Sequence, residues 1–285
     1  HGYTTDYSVF YYVWFMIQSV CEYEVEMDLD EAISEIETYY LNREKPECEK
    51  VLTDNQKKAF MHFWDEEGLE DAPTEYKDRY REFVDYFCDK KDPDYLEFKA
   101  YACYGNAEEP YKQDWKTSEE CLLTLMEVQP DAKWANTLGY IYYYGRVNDG
   151  VPEYDKAFKY FSIGAAGWYY ESRYKLADMF MHGYGVAKDT DVTRSIIWEL
   201  YKQTVKHIRK EDFRSDFADV ALRVGNLYRY GIEWGDPKED GAFYYYLQAR
   251  YAICQRMKMT DYYGDKKVAK GIEEAITEVL PGSSY

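Results

Sequence analysis

The chain has 285 residues, with 35 Lys and Arg against 54 Asp and Glu, a formal charge of −19, and 34 tyrosines. That acidity repels phosphate backbones and anionic membranes, so it argues against nucleic acid and favours a protein or peptide partner, a basic one in preference, besides serving solubility. The apolar run from Ser8 to Val20 contains Tyr11, Tyr12 and Gln18 and falls short of the roughly 20 residues that cross a bilayer, so it predicts a packed helix and no membrane insertion.

In chain order, the first predicted helix covers Tyr7 to Glu22 and the second runs from Asp30 to Leu41, opened by the acidic start Asp28-Leu-Asp-Glu31. Pro46 begins a short element. Thr53 and Gln56 form a capping box before Ala59, Phe60, Phe63 and Trp64, and Gly68 closes that helix. Tyr76, Tyr80, Phe83, Val84 and Phe87 give a further amphipathic helix. Residues 1–92 thus form an N-terminal helical region that either caps a stack of repeats or consists of decayed repeats. Asp92-Pro93-Asp94 opens a weak copy of a repeat over 94–130, marked by Phe98, Gly105 and Cys121. Its second helix is expected to start at the cap Ser118 and to run through Leu122, Leu125 and Met126 to Pro130.

From Trp134 the chain becomes periodic. Leu138, Gly139, Tyr142 and Gly145 recur as Leu176, Ala177, Phe180 and Gly183, and again as Val224, Gly225, Tyr228 and Gly231. Self-similarity at this period marks stacked supersecondary units. Trp134, Leu138, Ile141 and Tyr142 form one apolar helical stripe. Gly139, Ala177 and Gly225 let a partner helix approach, and Gly145 ends the helix as a left-handed cap. The partner helices carry Ala157, Tyr160, Phe161, Gly164 and Ala165, then Ser195, Trp198 and Leu200, then Ala242, Tyr245, Tyr246 and Ala249. Each pair is too small to bury its own apolar face and depends on its neighbours. Between Trp198 and Val220 the chain exceeds the period, so the second helix there is extended or a short one is inserted. Lys202 to Arg214 holds the concentrated positive charge. Val268 to Leu280 predicts a capping helix.

The runs A135-x-x-L138-G139-x-x-Y142-x-x-G145 and K156-A157-x-x-Y160-F161-x-x-G164-A165 resemble the Sel-one-like repeat of the tetratricopeptide superfamily. The turn G183-Y-G185-V186-x-x-D189 resembles that family's G-x-G-V-x-x-D loop. The resemblance is clear over 134–250; the loop G145-R-V-N-D-G-V is longer than the family pattern, and the second helix of the middle copy lacks the alanine pair. It implies an all-α fold, a right-handed superhelical solenoid of antiparallel helix pairs. The expected divisions are an N-terminal region at 1–92, repeats at 93–257 and a cap at 258–285.

Resemblance to tetratricopeptide arrays further implies a groove lined by Asn136, Tyr140, Tyr143 and Tyr144, then Tyr174, Asp178, Met181 and His182, then Leu222, Asn226, Arg229 and Tyr230. The weak copy would add Leu96, Ala100, Cys103 and Tyr104. Tyrosines offer large contact area at low entropic cost, with a hydroxyl for a partner. Inter-repeat packing is the alternative use for them.

No catalytic constellation is visible. His62 has Glu66 one turn away but no second histidine, and reads as a solvated acidic helix end. Gly183-Tyr-Gly185 lacks the lysine and strand of a phosphate loop. The six cysteines, Cys21, Cys48, Cys88, Cys103, Cys121 and Cys254, show no C-x-x-C and predict buried free thiols in a reducing, cytoplasmic compartment, although His1-Gly2 leaves room for a removed signal peptide. No cofactor or metal is expected. The prediction is a non-catalytic scaffold or adaptor in a bacterial cell that takes a protein or peptide in a Tyr-rich concave groove. The alternatives are an immunity protein neutralising a basic toxin, and an enzyme whose site is assembled between repeats.

Overall fold

A computed structural model describes residues 81, 84–105, 111–208, 210, 216–260 and 264–279. The chain divides into two compact units, 1–83 and 84–285, and apart from Arg81 the described residues belong to the second. The helices expected between Tyr7 and Tyr80 lie outside the described residues.

Residues 84–89 are helical and lead into α1 (Pro93–Tyr104), α2 (Trp115–Val128), α3 (Ala132–Tyr143), α4 (Tyr154–Ala166), α5 (Tyr170–His182), α6 (Thr190–Ile208), α7 (Phe217–Arg229), α8 (Glu239–Met259) and α9 (Asp265–Val279). There is no strand among the described residues. Each helix packs chiefly on the one before and the one after it, and beyond that α3 meets α5 and α7 meets α9. That nearest-neighbour pattern makes the fold a helical repeat solenoid, with a core handed from pair to pair in place of one centre.

Short carboxylates start several of these helices. Asp92, Asp114, Asp131 and Asp189 each accept backbone N–H bonds from the first turn of the adjoining helix, at 2.7–3.3 Å, satisfying donors that have no partner inside the helix. The start expected at Ser118 is therefore wrong. Asp114 outcompetes it, because its side chain takes both Lys116 N and Thr117 N and also the Thr117 hydroxyl. Ser118 is instead buried within the first turns of α2, its hydroxyl without a hydrogen-bond partner among the described residues. The long interval after Trp198 is resolved as extension, α6 continuing to Ile208; residues 209 and 211–215 of the basic stretch lie outside the described residues. α9 begins at Asp265, three residues before the expected Val268.

The repeat signature has a steric cause. A Cβ on Gly139 would sit 2.5 Å from Phe161 Cδ1, and one on Gly225 would sit 2.3 Å from Tyr246 Cε1. An aromatic ring of the second helix thus lies against the first helix where side chain is missing. In the middle copy Ala177 replaces the glycine, and the α6 residues in its core patch are aliphatic, Ile197 and Leu200, all three fully buried. Leu138 and Val224, which precede the glycines, are fully buried, whereas Leu176 is half-buried at the edge of the neighbouring patch. Gly164 of α4 is small for the same kind of reason, since a Cβ there would come within 2.2 Å of Ser172 Oγ on α5.

The loops repeat as well. Gly145 has φ +62°, and Arg146 N bonds back to Ile141 O, closing α3 in a left-handed cap as expected. In the Gly183-Tyr184-Gly185 turn, Gly185 has φ +63°, and its missing Cβ would lie 2.5 Å from the Tyr154 carbonyl oxygen. The turn is pressed onto the start of α4, where the Tyr184 ring stacks on Tyr154 with centroids 4.3 Å apart.

Candidate functional site

The twelve positions implied for the groove fall on α3, α5 and α7, the first helices of the three repeats, or on the residue that ends each. The structure brings five of them together. Asp178, Met181 and His182 of α5 face Asn226 and Tyr230 of α7 across a cleft enclosing about 400 Å³ of empty space, open solvent included, with Thr193 and Ile197 of α6 also lining it. His182 and Tyr230 are exposed, and Met181 is half-buried.

The cleft rests on a cation that the repeat pattern did not single out. Arg223 makes a two-pronged contact with Asp178, Nε to Oδ1 at 2.8 Å and Nη2 to Oδ2 at 2.6 Å, and donates a third bond to the Asp219 carbonyl oxygen. Its guanidinium lies 4.1 Å from the Tyr174 ring centroid. Burial alone would lift the Asp178 carboxyl, but the attraction and hydrogen bonds of Arg223, helped by Lys175 and His182, hold it below the ordinary carboxylate range. A fork of this kind fixes a carboxylate in position and orientation.

A second cluster lies on α3. The Lys175 ammonium stands 5.4, 4.6 and 5.4 Å from the ring centroids of Tyr140, Tyr143 and Tyr144, within the range where a ring quadrupole attracts a cation. Lys267, in the first turn of α9, reaches to 5.5 Å from the same Tyr144 ring. Tyr144 itself is 40% exposed. Tyr143 is half-buried against Tyr154, Phe161 and Tyr184. Lys175 and Arg223 each stand immediately before the leucine position of their repeat, Leu176 and Val224; that shared offset is the signal by which the sequence could have shown them.

Several of the implied residues have internal partners. Asn136 is buried and accepts a 2.7 Å bond from Ser172 Oγ, tying α3 to α5. The hydroxyls of Tyr140 and Tyr174 lie 3.2 Å apart, and burial pushes both phenols well above their ordinary range. Leu222 packs into the core between α7, α8 and α9, and Arg229 pairs with Glu278 of α9. In α1, Leu96, Ala100 and Cys103 are buried and Tyr104 is half-buried.

Next to this face, four carboxylates gather around one guanidinium. Arg256 of α8 bonds Asp265 through Nε and Nη2, at 3.1 and 2.7 Å, and Asp219 at 3.0 Å. Burial, with Glu171 and Asp219 nearby, pushes the Asp216 carboxyl up to about 7, and burial lifts Glu171 as well. Among the described residues no group of three or more His, Cys, Asp or Glu side chains is arranged to hold a metal ion, and no helix is long and apolar enough to cross a membrane.

The Sel1 repeat family matches residues 135–167, 171–198 and 218–252, the spans of α3–α4, α5–α6 and α7–α8. Two solved structures are similar. One is a protective antigen present in uropathogenic Escherichia coli strains and displaying an SLR fold, 14% identical with TM-score 0.46; the match covers 96% of this chain and 56% of that one, so this chain spans little more than half of that protein. The other is a Sel1 repeat protein from Oxalobacter formigenes, 17% identical with TM-score 0.47, covering 88% of this chain and 97% of that one. No curated protein matches the chain. Sel1 repeats typically mediate contact between proteins, and proteins built from them are generally non-catalytic scaffolds. Helices α3 to α8 thus carry three consecutive Sel1 repeats.

Proposed function

We propose that the protein is a scaffold that captures a segment of another protein on the face formed by α3, α5 and α7. The observation that carries this reading is the cleft between α5 and α7, lined by residues from equivalent positions of two repeats. Tyr144, His182 and Tyr230 are the exposed contact groups, and the Asp178–Arg223 pair is the rigid floor beneath them. Ordered aromatic side chains over a preformed polar floor suit recognition, because little freedom is lost when the partner docks.

The proposed partner segment is basic. The charge of −19 attracts it, and Glu171 and Asp216, already crowded with Asp219 and Asp265 around Arg256, would be relieved by a lysine or arginine from outside. On this reading residues 93–257 form the binding array and 258–285, which carry α9, close its end.

The test is selection of peptides from a displayed random library on the full chain, followed by calorimetry on wild type, Tyr144→Ala and Tyr230→Ala. Both tyrosines are exposed, so the variants should keep wild-type helicity while each weakens binding by about tenfold, or ~1.4 kcal/mol. Selected peptides should be rich in Lys or Arg and should lose affinity with added salt. Peptides that bind all three proteins equally well would refute the proposal.

A further inference from the structure

The last two repeats bring together a group of rings that takes no part in the cleft. Tyr245 of α8 stands nearly perpendicular to Trp198 and Tyr201 of α6 and to its neighbour Tyr244, at interplanar angles of 83°, 85° and 80° and centroid distances of 5.8, 5.5 and 5.1 Å. Tyr228 of α7 lies 5.3 Å from it, tilted by 31°. Inward, Trp198, Tyr201, Tyr228 and Tyr245 pack on the core that Ile197, Leu200, Val224 and Leu227 share. Outward, Trp198, Tyr228 and Tyr245 are half-buried and Tyr244 is 60% exposed.

A carboxylate is built into this group. Trp198 donates its indole N–H to Glu233 Oε2 at 2.7 Å. A hydrogen bond to an anion pushes electron density into the indole, which makes its faces more attractive to a cation. Glu233 also opens an acidic stretch: between 233 and 240 stand Glu233, Asp236, Glu239 and Asp240 against Lys238 alone. Asp236, Glu239 and Asp240 are exposed, and Asp240 lies one turn before Tyr244 on α8. Elsewhere the chain lays cations of its own on such rings, Arg146 at 4.3 Å from the Trp115 centroid and Arg173 at 5.3 Å from that of Trp168. Here Arg194, one turn before Trp198, is bonded instead to Asp191 and to the Ile232 carbonyl oxygen, at 2.9 and 3.4 Å.

We infer that Trp198, Tyr228, Tyr244, Tyr245 and Glu233 form a seat for one lysine or arginine side chain from a basic segment of another protein. The charged head lies against the ring faces, Glu233 and Asp240 supply the counter-charge, and the methylene stem covers Tyr244. A neutral side chain of the same length gains only the apolar contact, so selectivity rests on charge. The seat goes beyond the face formed by α3, α5 and α7, and shares with it only the sign of the charge it attracts.

The experiment titrates an acetylated trilysine amide into the full-length chain carrying isotope-labelled tryptophan, followed by NMR. The Trp198 indole signal is assigned by its loss in Trp198→Phe. The peptide should shift that signal, and the same peptide with its side-chain amines acetylated should not. Tyr244→Leu keeps apolar bulk without the ring and should weaken binding about fivefold, whereas Tyr244→Phe should stay within about twofold of wild type. Glu233→Gln should weaken binding as well. Tyr244 is largely exposed, so both of its variants should keep wild-type helicity. A Trp198 signal that stays put, or that moves equally with the neutral peptide, would overturn the inference, and so would equal affinity in wild type and Tyr244→Leu. Tyr244 lines no part of the cleft between α5 and α7, so its effect is read whether or not that cleft binds a partner.

Discussion

Gly139→Ala sets two effects of opposite sign against each other. Alanine is the better helix former, and in mid-helix the exchange alone would stabilise by about 1 kcal/mol. The new Cβ, however, would lie 2.5, 2.6 and 2.9 Å from three carbons of the Phe161 ring, so the ring must retreat by roughly 1 Å to regain ordinary van der Waals contact. Phe161 is fully buried, with Tyr140 and Tyr143 packed around it at centroid distances of 5.3 and 6.1 Å, which leaves it little room. Overpacking of this kind costs up to ~3 kcal/mol, and subtracting the propensity gain leaves a net loss of about 2 kcal/mol. For a unit of this size that lowers Tm by roughly 4–8 °C. Thermal and urea unfolding followed by circular dichroism at 222 nm measure it. Adding Phe161→Ile recreates the middle repeat's combination of alanine with aliphatic side chains, and the double variant should lose at least ~1 kcal/mol less than the two single losses summed. A Gly139→Ala protein as stable as wild type, or more so, would refute the account of why the repeat carries a glycine.

Arg223→Met leaves Asp178 buried without its main cation, and with both side chains partly solvated (14% and 20% exposed) the expected cost at pH 7 is about 2–3 kcal/mol. The Asp178 carboxyl is held below its unfolded value, so its contribution is present above the ordinary carboxylate range and fades as pH falls through the folded value; the gap between variant and wild type in urea titrations should narrow toward pH 3. Asp216 has the opposite sign: its folded value near 7 means stability is lost as pH rises from about 4 to about 7, and Asp216→Asn should flatten that decline in Tm measured across the range. Tyr140→Phe and Tyr174→Phe remove the same hydrogen bond, so each should cost about 1 kcal/mol and the double variant less than the sum, as a double-mutant cycle in urea would report.

Much of this architecture was legible because it is local. The offsets from Leu138 to Gly145 and their recurrence at 176 and 224 depend only on helical geometry and on a glycine meeting a ring about one helix later in the chain, and the helices appear where those offsets require. Capping is local too, yet Ser118 and Asp114 are both residue types that cap helices, and the competition between them is settled by where the chain enters the turn. The face of the array was less legible. Choosing positions by offset from the leucine identified a set in which Asp178, His182 and Tyr230 border one cleft, but the same rule also returned Asn136 and Leu222, which have partners inside the protein.

From its sequence alone the chain was bound to form helix pairs of repeating size, because the spacing of small, aromatic and turn residues leaves each pair an unburied face that another copy of the same pattern covers. Only the tertiary structure decided which tyrosines remain available. The bond between Tyr140 and Tyr174 joins residues 34 apart and the contact of Arg223 with Asp178 spans 45, so both depend on the angle at which one pair sits on the next. That angle follows from the summed packing of all side chains at the seam, and no short stretch of sequence carries it.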